Sequence, residues 1–391
     1  MNHDSHRQKL RIEPFIRMPS GLVSLDTESE KILLPSGGCG TAITYGEYLR
    51  SVADYFSANS CRAIRKVLAR MPGTPELRSA ESIRLISEKH GALYNVSRLE
   101  IHFGNTELSF AVNSAFSPEQ QAFLQLEYNL LRRLHREFGL PSLPRPFLSG
   151  KARLKTKTTD TPIKLFIAEW FTDFHEFHLS RTGEDVEDGL GIIVWQDNGK
   201  PCFLEPERTG ELYALASCIL TSLLDTDSFE QVYPWHHAAG DFVVNTSGES
   251  ASVKLITVRG YRSLLPSKSD AGDKILGTLH FFLNLSIRMR VDRLDGTGEL
   301  VWAAAGMCLP GIIRGFSRSW KKKVAEREDL PEAADILTLF LSFSPEERLA
   351  FLQVVAQAGR IEAEEMEFLF EHLPAHVEEL SSAIRDAFQY L

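Results

Sequence analysis

Residues 233–245 read YPWHHAAGDFVVN, and they hold the residue types most able to do chemistry in this chain. Asp241 stands just before a strand-like run, with His236 and His237 behind it and Asn245 four residues ahead. A carboxylate fixed at such a point can accept the proton of a reacting hydroxyl. An asparagine oxygen nearby can help hold a hard divalent cation. His236 and His237 offer a different chemistry, a metal-dependent hydrolase site shared with Asp241. Neighbouring residues on extended chain point to opposite faces, so one histidine of the pair would join Asp241. The plainer role for Asp241 is a loop carboxylate that caps backbone N–H groups beside the strand.

Other stretches invite chemistry less strongly. PSGGCGT at 35–41 is glycine-rich but lacks the Gly-Lys-Ser/Thr ending of a phosphate loop, and it reads as a loop. His175 and His178 would share a face only on a helix, and their place after a strand suggests packing or surface. The basic clusters Lys151–Lys157 and Arg314–Lys323 read as solvated surface.

These residues need a frame. A chain of 391 residues, 43% hydrophobic and 24% charged, has globular composition and enough length for two or three packed units. Its net charge of −9 is concentrated: residues 324–391 carry fifteen Asp or Glu against four Arg, and the rest is near neutral. A general nucleic-acid surface is therefore not indicated. The N-terminus has no apolar core of the secretory kind, and no apolar run reaches the roughly 18 residues that span a bilayer. Cys39, Cys61, Cys202, Cys218 and Cys308 have no paired spacing. They read as reduced thiols of a cytoplasmic protein.

The pattern along the chain predicts an α+β protein. Residues 1–75 read as a helical N-terminal extension, with Thr44 capping one helix and a second over about 61–70. Alternation predicts three strands, 82–89, 96–103 and 108–116. Ser117, Pro118 and Gln120 then open a long helix with an apolar stripe of Phe123, Leu126, Leu130, Leu131 and Leu134. A Pro-rich connection and a basic turn lead to a strand over 163–171. Beyond it lie a hairpin GIIVWQ–DNGK–PCFLEP, a helix over about 208–224, the Asp241 stretch, and a second hairpin, FVVN and SVKLITV. The remainder reads as helical, with starts at Ser344 and near Pro374, and with Leu349, Leu352 and Val355 facing a core.

Three strands, a long helix, a further strand, then a helix, an aspartate loop and a short hairpin: over residues 80–260 this layout resembles the protein-kinase-like superfamily, which includes protein kinases and aminoglycoside phosphotransferases. The resemblance implies a small antiparallel-sheet lobe with one long helix (76–170), a larger mostly helical lobe (171–325), a helical extension at 1–75 and an acidic helical segment at 326–391. It implies ATP and magnesium as cofactors. Asn113, in Phe110-Ala111-Val112-Asn113, stands where the family keeps a lysine. Glu127 matches the helix glutamate; with no lysine to pair with, it reads as a solvated residue or a structural ion pair. Glu169 and Trp170 match the adenine-facing hinge, with Trp170 equally suited to a core. Asp241 matches the catalytic base and Asn245 a metal ligand, one place early for the H-G-D-x-x-x-x-N pattern. The metal-binding aspartate should fall in LITVRGY, where Thr257 or Val258 stands instead.

Phosphoryl transfer depends on a cation on the phosphates and on carboxylate-held metal. Asn113 supplies no positive charge, Thr257 is a poor magnesium ligand, and the turn HGALYN lacks repeated glycines. Arg98 or Lys254 offers a substitute cation. The expectation is a degenerate, pseudokinase-like module that binds a nucleotide or a protein partner. The alternatives are an active phosphotransferase using Asp241 on a small molecule or peptide, and the hydrolase at His236, His237 and Asp241.

Overall fold

A computed structural model describes residues 10–389 apart from 19, 36–41, 91–93, 157–159, 183–188, 196–200, 236–239, 266–273 and 360–361. The described residues form an α+β protein with a seven-stranded mixed sheet and eight α-helices. The chain divides into two compact units, Met1–Arg133 with Pro144–Thr172, and Leu134–Leu143 with Asp173–Leu391. No helix among the described residues is long and apolar enough to cross a membrane.

The first unit is built on strands β1 (Ile12–Met18), β2 (Gly21–Ser24), β3 (Ser82–His90), β4 (Asn95–Phe103), β5 (Thr106–Ala115), β6 (Pro146–Lys155) and β7 (Asp160–Glu169), with helices α1 (Tyr45–Leu68) and α2 (Pro118–Glu137). The sheet order is β2-β1-β3-β4-β5-β7-β6. Strands β3, β4 and β5 are the three alternating runs, and they pair antiparallel as expected. Two departures enlarge the sheet. Ile12–Met18 and Gly21–Ser24, expected to be helical, are strands, and β1 joins β3 in parallel. The basic stretch expected as a turn continues strand β6, where Ala152 and Leu154 are buried between exposed Lys151, Arg153 and Lys155.

One sheet face carries Leu85, Leu99, Ile101, Phe110, Val112 and Ile167, which share a core with α1. Helix α1 starts at a capping box, Thr44 Oγ1 accepting from Glu47 N–H and Glu47 Oε2 from Thr44 N–H. It is two helical segments, interrupted where Ala58 is extended and Asn59, Ser60 and Cys61 take left-handed φ of 51–59°. Helix α2 begins at the box formed by Ser117 and Gln120. Its stripe keeps Leu131 and Leu134 as expected but shifts in the first turns. Phe123 and Leu126 are exposed, whereas Leu124, Tyr128, Leu131 and Leu134 are buried together with Glu127.

The second unit contains β8 (Phe177–Arg181), β9 (Leu190–Trp195), β10 (Pro201–Phe203), α3 (Pro206–Ser222), β11 (Glu230–Val232), β12 (Phe242–Asn245), β13 (Ser252–Leu255), β14 (Tyr261–Ser263), α4 (Lys274–Arg288), β15 (Val291–Arg293), β16 (Leu300–Trp302), α5 (Ala305–Glu326), α6 (Ala333–Ser342), α7 (Pro345–Gln357) and α8 (Ala363–Ala387). Its strands pair as small sheets and its helices supply most of the core, including Phe282, Phe316 and Trp320. Helices α3 and α5 approach closely because Gly311 and Gly315 carry no side chain. A Cβ there would lie 2.5 Å from the carbonyl oxygen of Gly210 and 2.1 Å from that of Ala214. Ser217 Oγ donates across this contact to the carbonyl of Ile312 (2.8 Å). Ser344 caps α7 as expected. Pro374 does not start a helix; it lies inside α8.

Candidate functional site

In the second unit Gly240, at φ +82°, turns the chain into β12 and sets Asp241 at the strand's entrance. The hairpin holds that position. Ile256 N–H donates to the carbonyl of Asp241 (2.7 Å), Phe242 pairs with Leu255, and His175 exchanges two backbone hydrogen bonds with Val244. The Asp241 side chain is 1% exposed, and its Oδ1 lies 2.7 Å from Nη2 of Arg259. Arg259 is one-third exposed, so the pair reaches solvent on the arginine side only. The sequence reading missed this partner. Its signal is the hairpin register, which returns segment 256–259 to Asp241.

The other candidates of this unit are placed differently. Asn245 ends the strand that begins after Asp241, and four residues of extended chain span about 13 Å. The two side chains therefore do not converge on one ion. Asn245 Oδ1 is also occupied, accepting from Ser247 N–H (2.9 Å) and Ser247 Oγ (2.7 Å) to close the hairpin turn. Thr257 is half-buried just beyond Ile256. Lys254 donates to the carbonyl of Pro141 (3.0 Å) and lies over the ring of Phe174. His175 and His178 lie on extended chain, His178 buried in β8. His236 and His237 fall outside the described residues, as does most of PSGGCGT and the centre of HGALYN.

In the first unit Asn113 is directly opposite Phe166 on the neighbouring strand. Both therefore face the side of the sheet where Tyr128 of α2 meets the Phe166 ring, with centroids 5.8 Å apart. Glu127 is 4% exposed and accepts a short hydrogen bond from the hydroxyl of Tyr94. The tyrosine comes from the β3–β4 turn, so the solvated reading of Glu127 does not hold. Glu169 Oε2 accepts from Arg145 N–H (3.2 Å). Trp170 is half-buried with the Arg98 guanidinium 5.3 Å from its ring centroid.

Arg98 is no free cation. Its Nε lies 2.8 Å from Glu88, which also pairs with Arg17, and its Nη2 lies 3.0 Å from Glu100. The row of charges continues along the sheet through His102, 3.6 Å from Glu100 and 3.4 Å from Glu107. Both substitute cations expected from the sequence are thus held by groups of their own unit. No protein-family model matches the chain, and no curated protein matches it.

Proposed function

We propose that the chain is a kinase-like module that has left phosphoryl transfer and works by binding, to a nucleotide or to a protein partner. The observation that carries this reading is the buried ion pair of Asp241 with Arg259. A general base must reach a substrate hydroxyl. Asp241 instead commits its carboxylate to a neighbouring guanidinium. Three further observations support the reading. Asn245 closes a turn about 13 Å along the strand rather than facing Asp241. Thr257 supplies no carboxylate, and Arg98 and Lys254 are already engaged. The resemblance itself is supported by the order of the first unit: three antiparallel strands, one long helix with an inward glutamate, then two more strands. The described cysteines are free thiols, which fits a cytoplasmic setting.

Thermal melting of the full chain with ATP, alone and with magnesium or manganese, tests nucleotide binding, because a ligand of the native state raises the midpoint. A shift makes the module nucleotide-responsive; its absence leaves partner binding. ATP turnover is then compared between the parent and Asp241→Asn. Equal, background rates are expected. Metal-dependent turnover that is lost in Asp241→Asn would sink the reading and restore Asp241 as a base.

A further inference from the structure

The basic cluster Arg314–Lys323, which the sequence offers as plain surface, lines a cavity. In the second unit α5 and α8 border a half-open cavity of about 690 Å³. This falls within the roughly 300–1,000 Å³ of small-molecule sites. The space exists because α8 presents Ser382, Ala383 and Ala387 there, too small to fill it. Its floor is apolar, from Pro310 and Ile313 of α5 and the alanines of α8.

Two features point to a ligand. Ser317 lines the cavity and is 8% exposed; its Oγ is turned away from the open space and has no hydrogen-bond partner among the described residues. A helical serine usually bonds back to the preceding turn, and a buried hydroxyl left unpaired is costly. The second feature is charge. Arg314, Arg318 and Lys321 stand at i, i+4 and i+7, one face of α5. Arg314 donates to the carbonyl of Gly210 (3.1 Å), whereas Arg318 and Lys321 have no ion-pair partner among the described residues. On the opposite wall Glu379 is committed to the buried Arg290 (2.5 Å), which leaves Asp386 as the other acid. The balance at the α5 side is positive.

We propose that this cavity binds an amphiphilic organic anion, a carboxylate or phosphate head on an apolar chain. The chain lies along Pro310, Ile313 and Ala383. The head meets Arg318 and Lys321, and accepts from the Ser317 hydroxyl once that side chain rotates about χ1 into the cavity. This site is independent of Asp241 and of the reading built on it.

The test is calorimetric titration of the full chain with octanoate, octyl phosphate, 1-octanol and inorganic phosphate. Saturable binding of either octyl anion is expected, at least about tenfold tighter than octanol or phosphate, the size of effect that hydrogen bonds to a charged head provide. The double charge reversal Arg318→Glu with Lys321→Glu, at exposed positions, is expected to weaken the anions by more than about tenfold and leave octanol unchanged. Ser317→Ala is expected to weaken them several-fold. Ala383→Leu is expected to weaken all binding, octanol included, because its side chain takes the place of the apolar chain beside Ile313. Unchanged melting of the charge-reversed chain confirms that it folds. No saturable binding of either anion, equal affinity for octanol, or full affinity in the charge-reversed or Ala383→Leu chain overturns the proposal.

Discussion

If Asp241 serves the fold rather than a reaction, its removal must cost stability. The carboxylate is buried, so Arg259→Leu strands a charge away from water. Breaking one side of a buried pair costs about 3–5 kcal/mol. Arg259 is one-third exposed, so solvent already screens part of the attraction, and about 2–3 kcal/mol is expected. Asp241→Asn removes the charge and keeps the shape, so its cost is smaller, about 1–2 kcal/mol for the lost ionic attraction of a pair open to solvent on one side. The two losses share one interaction. The double variant is therefore expected to fall short of their sum by about 1–2 kcal/mol. For a unit of about 230 residues each kcal/mol moves the midpoint by about 2–4 °C, which places Arg259→Leu about 4–12 °C below the parent. Calorimetric melting of the four chains at low and moderate salt measures this, and the differences should survive the salt because the acid is buried. A neutral or stabilised Asp241→Asn would refute the reasoning, because residues kept for function at the expense of stability behave that way.

Two buried groups give pH-dependent predictions of opposite sign. His280 is 4% exposed, neither ring nitrogen has a hydrogen-bond partner among the described residues, and burial lowers its pKa to about 4. The unfolded chain takes up the proton at higher pH than the folded one, so this residue lowers stability as pH falls from about 6.5 toward 4. His280→Phe is expected to flatten the melting profile across that interval; an unchanged slope refutes it. Asp292 is 2% exposed, its Oδ2 accepts from Leu179 N–H (2.9 Å), and burial raises its pKa to about 7. Here the folded state holds the proton, so stability is lost as pH rises from about 4 to about 7. Asp292→Asn is expected to gain on the parent steadily over that range and to level off above it. A difference in midpoint that does not vary with pH would show that Asp292 is ionised throughout.

What the sequence disclosed and what it hid divide by range. Helix starts at Thr44, Ser117 and Ser344 were legible because a capping box is complete within four residues. Strands β3 to β5 were legible because their alternation is sustained. Strand β1 was hidden, because its partner lies some seventy residues away and nothing local marks a parallel pairing. Strand β6 was hidden by its own lysines, which alternate with Ala152 and Leu154 as an edge strand of the sheet should. In α2 Phe123 and Leu126 drew the first turns of the expected stripe toward solvent, and Glu127 stayed open between a solvated residue and a structural ion pair. The geometry around Asp241 was partly legible. The aspartate and hairpin could be read in order, but a one-place offset of Asn245 looked minor in the sequence. On an extended strand it is part of a separation that keeps the two side chains apart.

On the proposed kinase-like reading, Arg259 changes what a threonine at 257 means. An acid beside Asp241 would create a pair of negative charges that recruits a divalent cation. With Thr257 there instead, that position adds no second acid, and the Arg259 guanidinium balances the Asp241 charge. Restoring an acid alone should then achieve little, because Arg259 still occupies Asp241. Thr257→Asp is expected to show no metal-dependent rise in melting point. Thr257→Asp with Arg259→Ala leaves two carboxylates on adjoining segments, joined through the hydrogen bond of Ile256 N–H to the Asp241 carbonyl. That double variant is expected to be destabilised without metal and to recover with manganese. At a hundredfold excess over the dissociation constant the recovery is about 2.7 kcal/mol. Equal metal response in the single and double variants would refute the view that Arg259 stands in for a cation. An aspartate at 241 would then lack a metal-free reason to persist.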